Sequence, residues 1–254
     1  MAGRTPVKRP LCPSVLSAMG VLKSLPLPDR AFDPSGNWSH TYRIWTCHGY
    51  LKSGNKTQGH LRITRSAGDG GPSLAVEQSV CMDRKRDKRF HHLSARVACR
   101  RDTLCSPASW TLKSRFTGGP AGEKTPNVDC ETSGKIENGR VVLRTAGGES
   151  RRDAGERITA DWCLFAAVQG FDPEKEVPPF TLLEGLALLK PDQHIAADGR
   201  KPVTWGTSTV RLLRYVQIGR GVWPYEYWLD EHGRLVMVVT GPRCYILEKI
   251  GAHA

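Results

Sequence analysis

Residues 222–247 read VWPYEYWLDEHGRLVMVVTGPRCYIL, the densest run of aromatic and β-branched residues in the chain. Unlike side chains alternate over 225–230, which is the period of a β-strand with two different faces. A turn sequence at 230–233 ends in glycine, and alternation resumes from Leu235. The pattern predicts a β-hairpin followed by a third strand at 244–247. We expect these strands to form the closing edge of an antiparallel sheet.

Alternation of the same kind runs through much of the chain before this hairpin. Five strands with short polar connections are predicted in succession, which is typical of an up-and-down meander. An Asn-Gly pair at 138–139 predicts a further tight hairpin. The strands are expected near 38–47, 59–65, 74–82, 90–99 and 110–116, with the Asn-Gly hairpin at 135–144 and later strands at 202–205 and 209–219.

The alternation breaks after Thr159, where helical periodicity replaces it. The spacing of apolar residues from Asp161 to Gln169 predicts a short amphipathic helix with a Thr or Asp cap. A second helix is predicted from Pro178 or Pro179 through Leu189, because Pro191 would stop it. The predicted fold class is mainly β, a curved antiparallel sheet or half-barrel wrapped around one or two short helices.

One sheet domain is expected at 37–250, preceded by a basic, poorly ordered arm at 1–36. The arm begins MAGRTPVKRP and continues with a mildly apolar run, which is the outline of a degenerate export signal. If the arm is a signal the protein is periplasmic or exported, and otherwise it is cytoplasmic. No run reaches the ~18 apolar residues that a membrane-spanning helix needs.

The positive charge of the chain is concentrated before residue 158. Residues 1–157 carry 27 basic and 14 acidic side chains, whereas 158–254 carry 10 and 11, for a net charge of +12. This asymmetry is compatible with an anionic partner, such as nucleic acid, lipid headgroups or an acidic protein. A solvated basic surface without a partner is the alternative. The segment DRKRDKR at 83–89 is expected to be a charged turn between two strands.

Eight cysteines are scattered without the close pairs that metal sites usually bring. Cys99 and Cys105 can bridge a short loop in an oxidising compartment. Free buried thiols are the expected state for most of the others. The pattern indicates neither a zinc site nor any other cofactor.

No catalytic signature accompanies the predicted sheet. Asp230, Glu231 and His232 are adjacent but lie in a predicted hairpin turn, and His91 and His92 point to opposite faces of a strand. Phosphate-binding, dinucleotide-binding and nucleophile-elbow patterns are absent from the sequence. These observations favour a non-enzymatic binding protein, with a hydrolase that lacks a recognisable motif as an open alternative.

Aromatic residues interleaved with basic ones occur in two predicted strands. Trp45 lies near Arg43, and Trp110 lies near Lys113 and Arg115. Exposed rings beside cations can stack nucleic-acid bases. The same residues also suit the two faces of an ordinary sheet, so an adaptor for nucleic acid or anionic surfaces is an alternative function.

The order of elements resembles a group of bacterial proteins. The layout resembles that of the half-barrel proteins related to periplasmic lipoprotein carriers, and that of an uncharacterised domain family. The segments that carry the resemblance are the opening TYRIWTCHGYLKSGNKTQGHLRITRS, the helical DWCLFAAVQGF and the closing WLDEHGRLVMVVTG. The resemblance covers Trp38 to Leu247. It implies an apolar concavity that holds a lipid-like ligand or an apolar partner segment. The expected ligand-binding residues are Trp45, Trp110, Tyr225, Tyr227, Trp228 and Met237.

Overall fold

The computed structural model describes residues 13, 16, 21–24, 31–46, 56–81, 89–118, 128–241 and 243–251. In this part of the chain, fifteen strands join into one sheet. They are β1 (Trp38–Thr46), β2 (Lys56–Ser66), β3 (Ser73–Cys81), β4 (Phe90–Cys99), β5 (Pro107–Thr117), β6 (Val128–Glu137), β7 (Arg140–Thr145), β8 (Gly148–Asp153), β9 (Ile158–Ala160), β10 (Phe180–Glu184), β11 (Leu188–Trp205), β12 (Ser208–Ile218), β13 (Tyr225–Leu229), β14 (Leu235–Thr240) and β15 (Arg243–Gly251).

The sheet consists of two meanders that meet at β1 and β15. Its order is β8-β7-β6-β5-β4-β3-β2-β1-β15-β14-β13-β12-β11-β10-β9, and the pairing is antiparallel except between β9 and β10. The predicted fold class, mainly β with a curved antiparallel sheet, is therefore confirmed. The expectation that the last hairpin closes an edge is wrong, because β15 pairs with β1 in the middle of the sheet. The edge strands are β8 and β9.

The two edge strands are consecutive in the chain. Only residues 154–157 connect Asp153, at the end of β8, to Ile158, at the start of β9. A connection of that length spans at most roughly 17 Å. The sheet must therefore be rolled up until its two edges are near each other.

Alternating burial defines two faces over the first meander. On β1, Trp38, His40, Tyr42 and Ile44 are buried and the residues between them are partly exposed. We call the face that carries Tyr42 the inner face and the opposite side the outer face. The hairpin predicted at 135–144 is present as β6 and β7, and both residues of its Asn-Gly turn have the positive φ that such a turn requires.

One short α-helix, α1 (Asp161–Ala167), covers the inner face and continues as a 3-10 turn at Val168–Gly170. The prediction of a helix here is confirmed. The N-cap residue is Ala160 rather than the predicted Thr or Asp, and it makes no side-chain cap hydrogen bond. Asp161, the first residue of α1, accepts a hydrogen bond from the Trp162 N–H at 3.0 Å. Thr159 instead donates its hydroxyl to the Leu104 carbonyl at 2.7 Å. Every residue of α1 after Asp161 is buried, so the helix is a core element.

The second predicted helix, at 178–189, is wrong. Residues Phe180–Glu184 form β10, and β11 begins at Leu188. Phe180, Leu182 and Leu183 are all buried because β10 is covered on both faces. A strand buried on both faces loses its alternation and mimics the apolar spacing of a helix.

Asp198 and Gly199, which precede the strand predicted at 202–205, form a bulge within a longer strand. β11 runs without interruption from Leu188 to Trp205, and its register against β12 shifts between Ala197 and Arg200. Gly199 has a φ of 72°, which a bulge residue can use.

Most of the predicted arm at 1–36 and most of the charged turn at 83–89 lie outside the described residues. Within the arm, Leu16 and Leu22 are fully buried, the latter in a 3-10 turn at Val21–Ser24. No helix within the described ranges has the length and apolar character that crossing a membrane requires.

Candidate functional site

The inner face of the sheet is occupied by α1. Phe165, which is 3% exposed, points its ring at the edges or faces of three tyrosines. Its ring centroid lies 5.4 Å from those of Tyr42 and Tyr245 and 6.4 Å from that of Tyr227, with interplanar angles of 82–88°. These are edge-to-face contacts of a packed aromatic core. The helix therefore takes the space in which the resemblance implies an apolar ligand.

The six residues expected to bind a ligand do not meet at one place. Tyr225 and Tyr227 lie on the inner face of β13, whereas Trp228 lies on the outer face and pairs with Met237. Trp45 also lies on the outer face, paired with Cys244. All of these except Tyr225 are buried.

Trp110 is the sixth of these residues and lies far from the others along the sheet. It is on the inner face of β5, opposite Gly134 of β6, and is 3% exposed. A Cβ added at Gly134 would lie 2.2 Å from the indole Cζ2 atom. The glycine therefore makes the room in which the Trp110 ring lies.

A groove crosses the outer face of the first meander, on the side away from α1. It has a volume of about 530 Å³. Small outward side chains on neighbouring strands form its floor, and they line up because the register places them opposite one another. These floor residues are Ser66, Ser73, Ala75, Ala98, Ser109, Thr111 and Ser133.

The groove runs across the strands rather than along them. One row of paired residues passes from Ser66 on β2 to Val142 on β7. Five strand spacings correspond to roughly 24 Å. Because the sheet backbone beneath is already paired, a ligand in this groove would be held by side chains.

Three cationic side chains on the outer face of the sheet line the groove: Arg96, Lys135 and Arg144. Lys135 lies 2.5 Å from Glu137, and Arg144 lies 2.8 Å from Glu149. Hydrogen bonds from Arg144 and Arg151 lower the pKa of Glu149, so this carboxylate is ionised. Among the described residues, no carboxylate pairs with Arg96.

The other cations of this outer face are mostly neutralised in place. Cross-strand ion pairs join Arg62 to Glu77 at 3.3 Å, and further pairs of the same kind lie on β5 and β6. These cations thus serve largely to pair neighbouring strands. Arg96 stands out because it is exposed and lies within the groove.

Asp161 is a second group with an unusual environment. Burial raises the pKa of the Asp161 carboxyl group to about 6. Hydrogen bonds from the N–H groups of Gly185 and Trp162 lower this pKa and so oppose part of the effect of burial. The two bonds measure 3.1 and 3.0 Å. A carboxyl group with a raised pKa can serve acid-base chemistry. Here it ties the start of α1 to the turn after β10, which is a structural role.

The adjacent acids and histidine at 230–232 form a turn, as predicted. Asp230 accepts hydrogen bonds from the N–H groups of His232 and Arg234, both at 2.9 Å. Its other oxygen lies 3.0 Å from the Arg234 guanidinium, and this ion pair is almost completely buried. The guanidinium also lies 5.1 Å from the Phe32 ring centroid. Asp230 therefore stabilises the turn between β13 and β14.

The described residues contain no group of three or more His, Cys, Asp or Glu side chains arranged to hold a metal ion. Trp110 is among the residues that line the groove, whereas the other five expected ligand-binding residues are not. The groove as a whole was missed by sequence reasoning because it has no motif. The sequence does carry a signal for the groove, because small residues occupy outward positions on several consecutive strands. Alternation alone does not report how large the outward residues are.

No protein-family model and no curated protein matches the chain. A solved structure does: the crystal structure of a β-barrel-like protein of the domain of unknown function DUF1849 from Brucella abortus. The two share 12% identity with a TM-score of 0.56, over 86% of this chain and 98% of that one. The fold is β-barrel-like. The similarity supports the expected likeness to an uncharacterised bacterial family at the level of the fold.

Proposed function

We propose that the chain is a non-enzymatic binding protein that holds an anionic amphiphile, such as a fatty acid, in the outer groove of β2 to β7. The observation that carries this proposal is Arg96, a cation without a carboxylate partner among the described residues, beside a floor of small side chains. The volume of about 530 Å³ falls in the range of small-molecule sites.

The chemistry of the lining supports a ligand with two parts. Ala75, Ala98 and Val142, with the methylene groups of the longer side chains, offer apolar contact to a chain. The guanidinium of Arg96 offers a bidentate, charge-assisted contact to a carboxylate or phosphate. The proposal keeps the lipid-like ligand expected from the sequence but assigns it to the outer groove instead of the helix-filled interior.

The test is a titration of delipidated protein with a fluorescent long-chain fatty acid and with its methyl ester. We expect saturable binding of the acid and weaker binding of the ester, because the ester lacks the charge that Arg96 recognises. Arg96→Ala should weaken binding of the acid roughly tenfold or more, the cost of one charge-assisted contact. Arg62→Ala is the matched control, since Arg62 is on the same face but outside the groove and paired with Glu77.

Ala98→Trp tests the groove without touching a charge. Ala98 is exposed at the floor, so an indole there fills the groove and leaves the core intact. We expect binding of the acid to be lost. Unchanged binding of the acid by both Ala98→Trp and Arg96→Ala would refute the proposal and would favour a binding site on the inner face of the sheet. Strong retention on heparin that weakens steeply with salt, together with a flat fatty-acid titration, would favour the anionic-surface adaptor instead.

A further inference from the structure

Three buried cysteines from separate elements meet beneath the loop that follows β4. Cys99 ends β4, Cys105 lies in the loop, and Cys163 lies in α1. The Sγ atoms of Cys99 and Cys163 are 3.9 Å apart. Cys105 adjoins these two thiols and is the first cause of the raised pKa of each. All three are free thiols. Sulfur atoms this close need only small movements to form a disulfide.

The loop holds Cys105 in a fixed and unusual conformation. Its φ is +50°, in the left-handed region that a residue with a Cβ rarely adopts. The Asp102 carboxylate accepts hydrogen bonds from the N–H groups of Leu104 and Ser106, at 3.1 and 2.9 Å. The N–H of Arg100 donates to the Ser106 carbonyl at 2.7 Å. Several contacts together thus impose the conformation that points Cys105 at the other two thiols.

Cys105 is the member of the cluster that faces outward. It lines a surface pocket of about 190 Å³, together with Arg65, Asp102, Thr103 and Ala167. Neither Cys99 nor Cys163 is part of that lining. A small reagent can therefore reach Cys105 first, although the side chain is only 6% exposed.

The surroundings of Cys105 favour its thiolate. Hydrogen bonds with Cys163 and Cys99, and the nearby charge of Arg65, lower the pKa of Cys105 to about 4, against burial and the Asp102 carboxylate. The hydrogen bond with Cys105 is in turn the largest cause that raises the pKa of Cys99 and of Cys163. Thiolate character and access are the two conditions for a reactive cysteine.

We propose that Cys105 is a peroxide-reactive cysteine whose oxidised form is resolved by the neighbouring thiols, which makes the cluster a redox site. In the first step the Cys105 thiolate attacks hydrogen peroxide, the O–O bond breaks, and a sulfenic acid and hydroxide form. In the second step the sulfur of Cys99 or Cys163 attacks the sulfenic sulfur, a disulfide forms, and water leaves with the thiol proton. Cys105 and its partner together lose two electrons and the peroxide gains them. This site is independent of the outer groove.

The experiment treats the reduced full-length protein with increasing hydrogen peroxide and maps the oxidised cysteines by peptide mass spectrometry. We expect a disulfide between Cys105 and either Cys99 or Cys163 before the exposed Cys130 is modified. Cys105→Ser should slow oxidation of the cluster roughly tenfold or more. Cys130→Ser is the matched control and should leave the rate unchanged. In the double variant Cys99→Ser, Cys163→Ser, the sulfenic acid at Cys105 should persist and react with dimedone.

Two outcomes would overturn the proposal. One is oxidation of Cys130 before Cys105. The other is formation of a Cys99–Cys163 disulfide in Cys105→Ser at the rate at which the cluster is oxidised in the unsubstituted protein. Alkylation gives a second readout that does not require a variant to fold. Iodoacetamide at pH 5 should modify Cys105 faster than Cys130, because a thiolate persists there at a pH where ordinary thiols are protonated. Equal or slower modification of Cys105 at pH 5 would contradict the proposed reactivity.

Discussion

Replacing Phe165 by alanine tests whether the interior of the roll is a packed core. The ring is 3% exposed and makes edge contacts with Tyr42, Tyr227 and Tyr245. Removing a buried phenylalanine costs about 3–5 kcal/mol of unfolding free energy, through lost transfer free energy and the cavity left behind. For a chain of this size, that loss lowers Tm by roughly 6–20 °C.

The assay is urea unfolding of Phe165→Ala beside Phe116→Ala, with a thermal scan of both. Phe116 is 40% exposed and stacks on His91 with a centroid distance of 4.4 Å, so its loss should cost less than about 1 kcal/mol. The cavity in Phe165→Ala is lined by rings, and an apolar probe such as benzene should raise the Tm of this variant alone. A cost below about 1 kcal/mol for Phe165→Ala would refute a packed interior and revive an internal ligand site.

Two further predictions concern buried charge. Arg234→Met leaves the Asp230 carboxylate buried without its guanidinium and should lower the free energy of unfolding in urea by about 3–5 kcal/mol. Arg62→Met removes a cation from an exposed pair and should cost under about 1 kcal/mol. Equal costs for the two variants would contradict the assigned role of the buried pair. The pKa of Asp161 is raised from 3.8 to about 6, so the folded state binds this proton more tightly and stability should fall as pH rises through that window. Asp161→Asn should remove this part of the fall in the urea midpoint, and an unchanged pH slope would show that another group is responsible.

The first meander could be predicted from the sequence because its outer face is polar. On β1, buried and partly exposed residues alternate, and the sequence carries the same alternation. The register at Asn138-Gly139 was equally accessible, since only a few residue pairs suit that turn. Local chemistry decides these elements, so local patterns predict them.

The second meander could be predicted only in part, because some of its strands, such as β10 and β14, are buried on both faces. Residues of β14 are buried on each side, and the continuous apolar run LVMVV is the signal of a central strand. The position of β15 next to β1 depends on a partner about two hundred residues away, as the pairing of Ser39 with Gly251 demonstrates. No local pattern encodes that pairing. The groove escaped prediction for a related reason, since it arises from small residues that become neighbours only when β2 to β7 pair.

The meeting of the two meanders at β1 and β15 has a consequence for the order of folding. Within each meander, most strands pair with their sequence neighbours, so most of the hairpins can form early at little cost in loop entropy. The β1–β15 ladder joins residues such as Ser39 and Gly251, and it must wait until the intervening chain is compact. We expect amide protons of this ladder to gain protection later in refolding than those of the β6–β7 hairpin. The slowest step in folding would then occur at the centre of the finished sheet, while hairpins nearer its edge, such as β6–β7 and β7–β8, are already formed.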